Sequence, residues 1–387
     1  MFDALLQKKN KDTGTEIFKG GERHMKLAIY GAQGVALAAA SALKELYPKR
    51  EIVCFLVTER GMNAPVLGGI PVRELHRFAA GLAPAEKQEI EILIATPENV
   101  QPEIEESLEN YGFIYHQRLD SNRWSDLMKL YYVRQGRFLP LSALPVGYRE
   151  PFVRIFMARS HKDRPLRSTI QLPQWMFPVQ AGAALTAQRI ADIPDYKGEH
   201  ISEKNVNYSE LTVLYWMWKN KLYMPSDHDD NHRQYYGLAQ YRRMLDLDAD
   251  DLLRLLDNDV DVVLPYPMPY DPDANAHHER YLKETDWHAL LQASSELQPE
   301  YADAFPEILA QPCLYNYNVI LAKKTVLRDY CAWLFPILAR TEELSNPKGS
   351  ERADRYIGYM GETLETLYFM KNADRLNIVH TACRFIV

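Results

Sequence analysis

Short apolar runs alternating with longer helical stretches set the pattern of the first hundred residues. Lys26-Leu-Ala-Ile-Tyr30, Ile52-Val-Cys-Phe-Leu-Val57 and Ile90-Glu-Ile-Leu-Ile-Ala-Thr96 are of strand length and predict buried strands. The turn Gly31-Ala-Gln-Gly34 follows the first, and a helix runs on to about Tyr47. Val66-Leu-Gly-Gly-Ile-Pro-Val72 precedes a short helix, and Gln101 to Tyr111 is another. Strand, turn, helix and strand in that order predict a parallel α/β unit. After a helix around Trp124–Tyr132, the prolines Pro140, Pro145 and Pro151 disfavour regular structure and mark a boundary.

A new strand begins beyond it, Val153-Arg-Ile-Phe-Met-Ala158, ending in Arg159-Ser-His161-Lys162. Pro178-Val-Gln-Ala-Gly182 leads into a helix to about Arg189. The strand Tyr235-Tyr-Gly-Leu-Ala ends in Gln240-Tyr-Arg242-Arg243. Helices are expected at Asp246–Leu256, Trp287–Leu297 and Asp329–Leu338, with a last long one opening at Arg355. Strands are expected at Val260–Leu264 and Leu314–Leu321, and the proline-rich loop 265–273 lies between them.

The densest pattern lies at 198–220. Asn207 and Glu210 have capping-box spacing, and Leu211, Leu214, Tyr215 and Trp218 make one helical face. Val213, Met217 and Trp216 extend the apolar surface almost all round, which predicts a helix buried on most sides. The polar run Ser202-Glu-Lys-Asn-Val-Asn before it is open to two readings. One is a solvated, well-capped loop; the other is a loop of donors at a helix N-terminus suited to an anionic ligand.

Composition narrows the field. A length of 387 residues suggests two domains, and 47% hydrophobic with 25% charged residues is ordinary for a globular chain. A net charge of −7, with no long Lys/Arg runs, argues against a nucleic-acid partner. Cys54, Cys313, Cys331 and Cys383 are scattered without metal-ligand spacing and read as reduced cysteines of a cytoplasmic protein. No apolar run reaches the length of a membrane span. The Gly31–Gly34 turn lacks the third glycine of the dinucleotide fingerprint, and no acid ends the second strand until Glu59.

Two family resemblances follow from these pieces. Ile29-Tyr-Gly-Ala-Gln-Gly34, Gly68-Gly-Ile-Pro-Val72 and Ile92-Leu-Ile-Ala-Thr96 resemble the Rossmann-like module at the front of polysaccharide-biosynthesis sugar acetyltransferases. His161-Lys162, Val179-Gln-Ala-Gly182, Ile201-Ser-Glu-Lys-Asn205, Tyr208-Ser-Glu-Leu-Thr212, Tyr215-Trp-Met-Trp-Lys-Asn220 and Gly237-Leu-Ala-Gln-Tyr-Arg-Arg243 occur in fixed order. Together they resemble the bacterial capsule and O-antigen glycosyltransferase family of the galactofuranosyltransferase type, related to the GT-A enzymes. Gln240 stands where that family usually has a histidine.

The resemblance implies an α/β fold: a GT-A-like domain, a mixed sheet flanked by helices, behind a small Rossmann-like parallel domain. The expected division is an extension at 1–24, the Rossmann-like module at 25–120, a linker region at 121–150 and the GT-A-like domain at 151–387. It implies transfer of a hexose, galactofuranose being the type sugar, from a UDP-sugar to a lipid-linked saccharide at the inner membrane face. A homo-oligomer through the N-terminal module is a further expectation.

Such a transfer needs the donor diphosphate neutralised and the acceptor's proton removed. Arg242 and Arg243 are the candidates for the diphosphate, with His161, Lys162, Asp195, Lys204, Asn205, Glu210 and Gln240 shaping the donor pocket. Glu362 is the candidate base, with Asp271 and His278 in reserve. Asp246-Leu-Asp248 and Asp271-Pro-Asp273 have Asp-x-Asp spacing but follow no clear strand, so no metal ligands are assigned, although Mn2+ or Mg2+ would suit the chemistry. Two rivals stay open: a nucleotide-dependent oxidoreductase or sugar-modifying enzyme built on Gly31 and Gly34, and a non-catalytic sugar-nucleotide-binding scaffold.

Overall fold

The computed structural model describes residues 26–166, 171–220 and 233–385. Two sheets carry the fold. The first has the order β3-β4-β2-β1-β5-β6, with β1 at Lys26–Tyr30, β2 at Ile52–Val57, β3 at Val66–Leu67, β4 at Ile70–Glu74, β5 at Ile90–Ile94 and β6 at His116–Arg118. All its pairings are parallel except β3 with β4. The helix Gly34–Leu46 covers one face largely with small residues, Ala36, Ala38, Ala39, Ala40 and Ala42, all buried. Small side chains let helix and sheet approach closely. The helix Ser121–Gln135 packs beside it through Trp124, Leu127 and Met128.

The second sheet runs β16-β12-β15-β10-β7-β8-β9, with β11 and β17 attached beside β10. Its strands are β7 at Phe152–Arg159, β8 at Met176–Gln180, β9 at Ile193–Pro194, β10 at Gln234–Gln240, β11 at Arg243–Leu245, β12 at Val262–Pro265, β15 at Ile320–Lys323, β16 at Ile378–Thr381 and β17 at Cys383–Phe385. A short pair, β13 at Met268–Pro269 and β14 at Cys313–Leu314, stands apart. β10 is the hub, parallel to β7 and antiparallel to β15, and every residue from Gln234 to Ala239 is buried. That explains its continuous apolar reading. At Gly237 a Cβ would lie 2.4 Å from the Ile320 carbonyl oxygen, so only glycine lets β15 pair this tightly.

Helices Leu211–Lys219, Glu284–Leu297, Lys324–Leu344 and Tyr356–Lys371 pack on one face of this sheet. Ala249–Asp257 packs on the other, its start capped by the Asp248 carboxylate on the Asp251 amide. Of the aromatics of 211–219, Trp216 is core: it is buried and donates its indole N–H to the Lys197 carbonyl at 2.7 Å, while the half-buried Tyr215 and Trp218 pack on Phe335. Full burial of a large apolar side chain contributes about 1.5–3 kcal/mol. A mixed sheet flanked by helices behind a small parallel α/β unit is thus the fold, as expected.

Three local expectations fail. The helix predicted from Asn207 is interrupted at Ser209 (φ 52), dividing it into Asn205–Tyr208 and Leu211–Lys219. No Asn207–Glu210 capping box forms, because Asn207 instead donates to the carbonyls of Arg352 and Asp354. The helix expected after Gly182 is one 3-10 turn, Ala183–Leu185, because the Asp195 carboxylate takes the Gly182 and Ala183 amides and holds the chain in a turn. The strand expected over 314–321 is two strands, broken by left-handed backbone at Tyr317 (φ 78) and Asn318 (φ 50). The strands at 378–381 and 383–385 were not anticipated.

Candidate functional site

The parallel strands β7 and β10 end side by side at Arg159 and Gln240, and β15 begins beside them with Asn316–Asn318 just ahead of it. Ligand sites of open α/β sheets gather at such a carboxyl edge. The helix Tyr356–Lys371 lies across it and is kept close by two glycines. A Cβ on Gly361 would meet Leu211 Cδ1 at 2.7 Å and Asn318 Oδ1 at 2.8 Å, and one on Gly358 would meet Ser209 Oγ at 3.5 Å. Ser209 and Asn318, both with positive φ, therefore converge on one helix face, and Tyr317, also with positive φ, precedes Asn318 in the chain. Each such residue costs on the order of 1–3 kcal/mol, and strain of this kind collects at functional sites.

Two carboxylates face this edge in fixed positions. Glu362 Oε2 accepts from Asn316 Nδ2 at 2.8 Å and lies 3.1 Å from His277 Nε2; Asn316 also donates to the Tyr270 hydroxyl at 2.9 Å. Glu210 Oε1 accepts from Asn318 Nδ2 at 2.7 Å, and the Arg355 guanidinium stands 3.5 Å from its other oxygen. Burial raises the Glu210 pKa against the pull of Arg355. Behind them Glu365 is fully buried, has no hydrogen-bond partner on either oxygen among the described residues, and is pushed well above the carboxylate range by desolvation.

Cationic groups gather at the same edge. Arg159, Arg242 and Arg355 all act electrostatically on Asp163, whose carboxylate accepts the Ser160 amide at 2.7 Å and whose pKa is nevertheless raised by burial. Arg159 Nε, Arg242 Nε and His161 Nδ1 are shut off from solvent without a hydrogen-bond partner among the described residues. Arg242 sits in the two-residue turn between β10 and β11, and its outer nitrogen lies 3.5 Å from the Pro165 carbonyl. Arg243 turns away from it: its guanidinium lies 4.1 Å from the Phe385 ring and 5.0 Å from that of Tyr317, and it donates to the Arg242 carbonyl. The adjacent arginines thus serve two different surroundings rather than one fork.

The other sequence candidates are placed as follows. Gln240 donates to the Tyr317 carbonyl at 2.7 Å and holds the strained segment. Asn205 Nδ2 donates to the Ser209 carbonyl at 2.7 Å and reaches Thr212 Oγ1. Asp195 is wholly buried, with all four of its acceptor contacts filled by Gly182, Ala183, Ser202 and Thr212, so it pins the loop from inside. Lys204 pairs with Glu342 at 2.6 Å, and Lys162 is exposed. His278 stacks flat on Trp287 at 3.8 Å and burial lowers its pKa; it is His277, one residue earlier, that meets Glu362. Asp271 accepts the Gly68 amide of the first unit at 2.6 Å. Sequence reasoning missed Arg159, Asn316, Asn318 and Arg355. A signal existed for the asparagines: two alternate amides inside an otherwise apolar run.

In the first unit Gly31 has φ +124, and a Cβ there would meet the Ala95 carbonyl oxygen at 2.7 Å. Gly34, at the helix N-terminus, faces Met268 of the second sheet's loop, 3.7 Å from where its Cβ would be. Among the described residues no three His, Cys, Asp or Glu side chains are grouped to hold a metal ion. The Asp-x-Asp pairs are engaged otherwise: Asp246 with Ser125 and Arg384, Asp248 as a helix cap, Asp273 on the Asn275 amide. With Asp271 on the Gly68 amide, neither pair presents two open carboxylates to a metal ion. No helix among the described residues is long and apolar enough to cross a membrane.

Among solved structures the chain is similar to the apo form of WbbM, described as a bifunctional glycosyltransferase, at 25% identity and a TM-score of 0.50 over 61% of this chain. The match covers 45% of that protein, so the present chain spans less than half its length. A methyltransferase FkbM from Methylobacillus flagellatus aligns over 66% of this chain and 91% of its own at 10% identity, but its TM-score of 0.25 carries no argument. No curated protein matches. The family model described as a domain of unknown function, DUF4422, matches residues 154–373. That is more than half of the chain and includes the arginines and carboxylates of the site, and the chain belongs to this family.

Proposed function

We propose that the chain is a glycosyltransferase that moves a hexose from a UDP-sugar to a saccharide acceptor, lipid-linked, in the assembly of a surface polysaccharide. The observation that carries the reading is the gathering at one sheet edge of guanidinium and imidazole nitrogens without hydrogen-bond partners among the described residues, together with two buried carboxylates. Buried donors left open suit an anion, and planar guanidinium groups match phosphate oxygens. The likeness to a bifunctional glycosyltransferase supports the same class. Galactofuranose is the donor sugar to test first, on the sequence resemblance.

In this reading Arg242, Arg159 and Arg355 receive the donor diphosphate beside His161. The acceptor hydroxyl attacks the anomeric carbon, the bond from that carbon to the diphosphate oxygen breaks, and the hydroxyl proton passes to Glu362. Asn316 and His277 fix the orientation of that carboxylate. Asp195, Lys204 and Asn205 shape the loop rather than touch the donor, Gln240 supports Tyr317, and Arg243 props the same segment.

The test is a panel of sugar nucleotides assayed for binding and for transfer or hydrolysis, with and without EDTA. Removing a general base costs about 10²–10⁴-fold in rate. Glu362→Gln should therefore lower turnover by that range with donor affinity retained. Arg242→Ala should weaken the donor by about 10–100-fold, as loss of a charge-assisted bond of about 1.5–3 kcal/mol requires. A chain that binds no sugar nucleotide overturns the reading. Binding without turnover across the panel would return it to the scaffold alternative.

A further inference from the structure

An exposed aromatic stack adjoins Glu362 and has no part in the chemistry above. Tyr281, the last residue of the helix Asn275–Tyr281, is 41% exposed despite its size. Its ring lies 4.5 Å from that of Tyr359 at an interplanar angle of 14°, so one face is backed by a fixed ring. Tyr359 is one helical turn before Glu362, on the same side of the helix. A wholly buried imidazole joins the stack to the carboxylate. His277 lies 5.1 Å from the Tyr281 ring and 6.0 Å from the Tyr359 ring, and its Nε2 is 3.1 Å from Glu362. Tyr270 closes the group edge-on to His277 at 5.6 Å.

Structural packing does not require this arrangement. A tyrosine wanted only for the core would be covered, whereas Tyr281 keeps a large part of its surface in water while rigidly held on the other side. A flat, apolar, half-open ring held in place is what a pyranose recognises, because one face of the sugar is lined with C–H groups and its rim with hydroxyls. The ring and the carboxylate are separated by one imidazole, so a saccharide stacked on Tyr281 places its rim hydroxyls toward Glu362. The Arg280 guanidinium lies over the Tyr281 ring, 5.4 Å from its centre, on an exposed side chain that can turn to a rim hydroxyl as a sugar takes the ring face.

We propose that Tyr281, backed by Tyr359, is the stacking platform for a pyranose of the saccharide acceptor. This rests on the glycosyltransferase reading for the acceptor's identity, and on geometry alone for the binding of a sugar.

Saturation-transfer NMR on the full chain tests it with three probes: methyl β-galactopyranoside, methyl β-glucopyranoside and methyl α-mannopyranoside. Saturating UDP is present to occupy the donor side. At least one probe should receive saturation at its ring C–H protons. Tyr281→Phe should retain the signal, and Tyr281→Ala should weaken affinity by about three- to tenfold, the range an aromatic stack is worth. Glu362→Gln should keep saccharide binding. Unchanged saturation of the probes by Tyr281→Ala, or no saturation passed from the wild type to any probe, overturns the platform. A thermal shift with UDP separates the two ideas: no UDP binding with Tyr281-dependent saccharide binding defeats the donor-site reading and leaves the platform standing. UDP binding without it does the reverse.

Discussion

Replacing Asp195 by asparagine distinguishes a ligand-facing acid from a structural pin, because shape is kept and only charge and one acceptor are removed. One carboxylate oxygen takes the Gly182 amide at 2.9 Å and the Thr212 hydroxyl at 2.8 Å; the other takes the Ala183 amide at 3.0 Å and the Ser202 hydroxyl. An amide NH2 in either place faces one backbone N–H, which cannot turn, and one hydroxyl, which can. One buried amide is therefore orphaned, at about 1–3 kcal/mol. The two bonds left on the carbonyl oxygen become neutral, losing roughly 1 kcal/mol each. The sum is about 3–5 kcal/mol before relaxation, and Asp195→Ala, orphaning both amides, should exceed it. Urea unfolding measures the loss, and amide exchange at Gly182 and Ala183 locates it. UDP affinity in the folded protein should change little. If Asp195→Asn instead keeps its stability within about 0.5 kcal/mol and loses UDP affinity, the pin is wrong and Asp195 is a donor-site residue.

Gly361→Ala should push Asn318 off Glu210, since the added methyl sits 2.8 Å from Asn318 Oδ1; the expected result is turnover reduced at least tenfold with stability lowered by about 1–3 kcal/mol, as overpacking costs. Wild-type turnover would show that Asn318 does not order the site. Arg352 and Asp286 form a bidentate pair at 2.7 and 2.8 Å with almost no exposure, so Arg352→Met leaves a buried charge alone and should cost about 3–5 kcal/mol in thermal unfolding, partly restored by adding Asp286→Asn. Burial pushes His380 down to about 3 from an ordinary 6.5. The unfolded chain then binds the extra proton, so this residue's contribution is full above pH 6.5 and fades as pH falls toward 3. His380→Gln should flatten the melting-temperature curve in that window, and an unchanged slope would rule the residue out as a source of acid sensitivity.

What could be read in advance followed from how local each cause was. β1, β2, β10 and the 155–158 stretch of β7 are apolar runs because both faces are covered, so the pattern alone predicts them. The breaks at Ser209 and Gly182 are set by side chains that bond back onto the backbone, Asn205 to the Ser209 carbonyl and Asp195 to the Gly182 amide, and periodicity is blind to these. Glu362, Arg242 and Glu210 stood out by motif and do reach one sheet edge. Their partners did not stand out, because Asn318 meets Glu210, and Arg355 meets Ser209, across more than a hundred residues of chain. A polar side chain in a loop likewise gives no sign of its partners, and neither the Asp195 bond to Thr212 nor the Lys204 pair with Glu342 could be read from the pattern.

The first unit meets the second across one apolar cluster, in which Trp124, Met128 and Tyr132 touch Tyr266 and Met268, with Tyr132 stacked on Tyr266 at 4.8 Å and hydrogen-bonded to the Pro267 carbonyl. The loop they receive leads directly to Tyr270, Asp271 and His277. During synthesis, N-terminal units fold first. The cradle made by residues 34–46 and 121–135 is therefore complete long before that loop leaves the ribosome, and the loop sets against a finished mould. A chain begun after residue 150 would have to shape the same loop with no template and with the mould's apolar partners bare. Loss of activity on such truncation would report on assembly of this loop and could not be read as a catalytic role for the first unit.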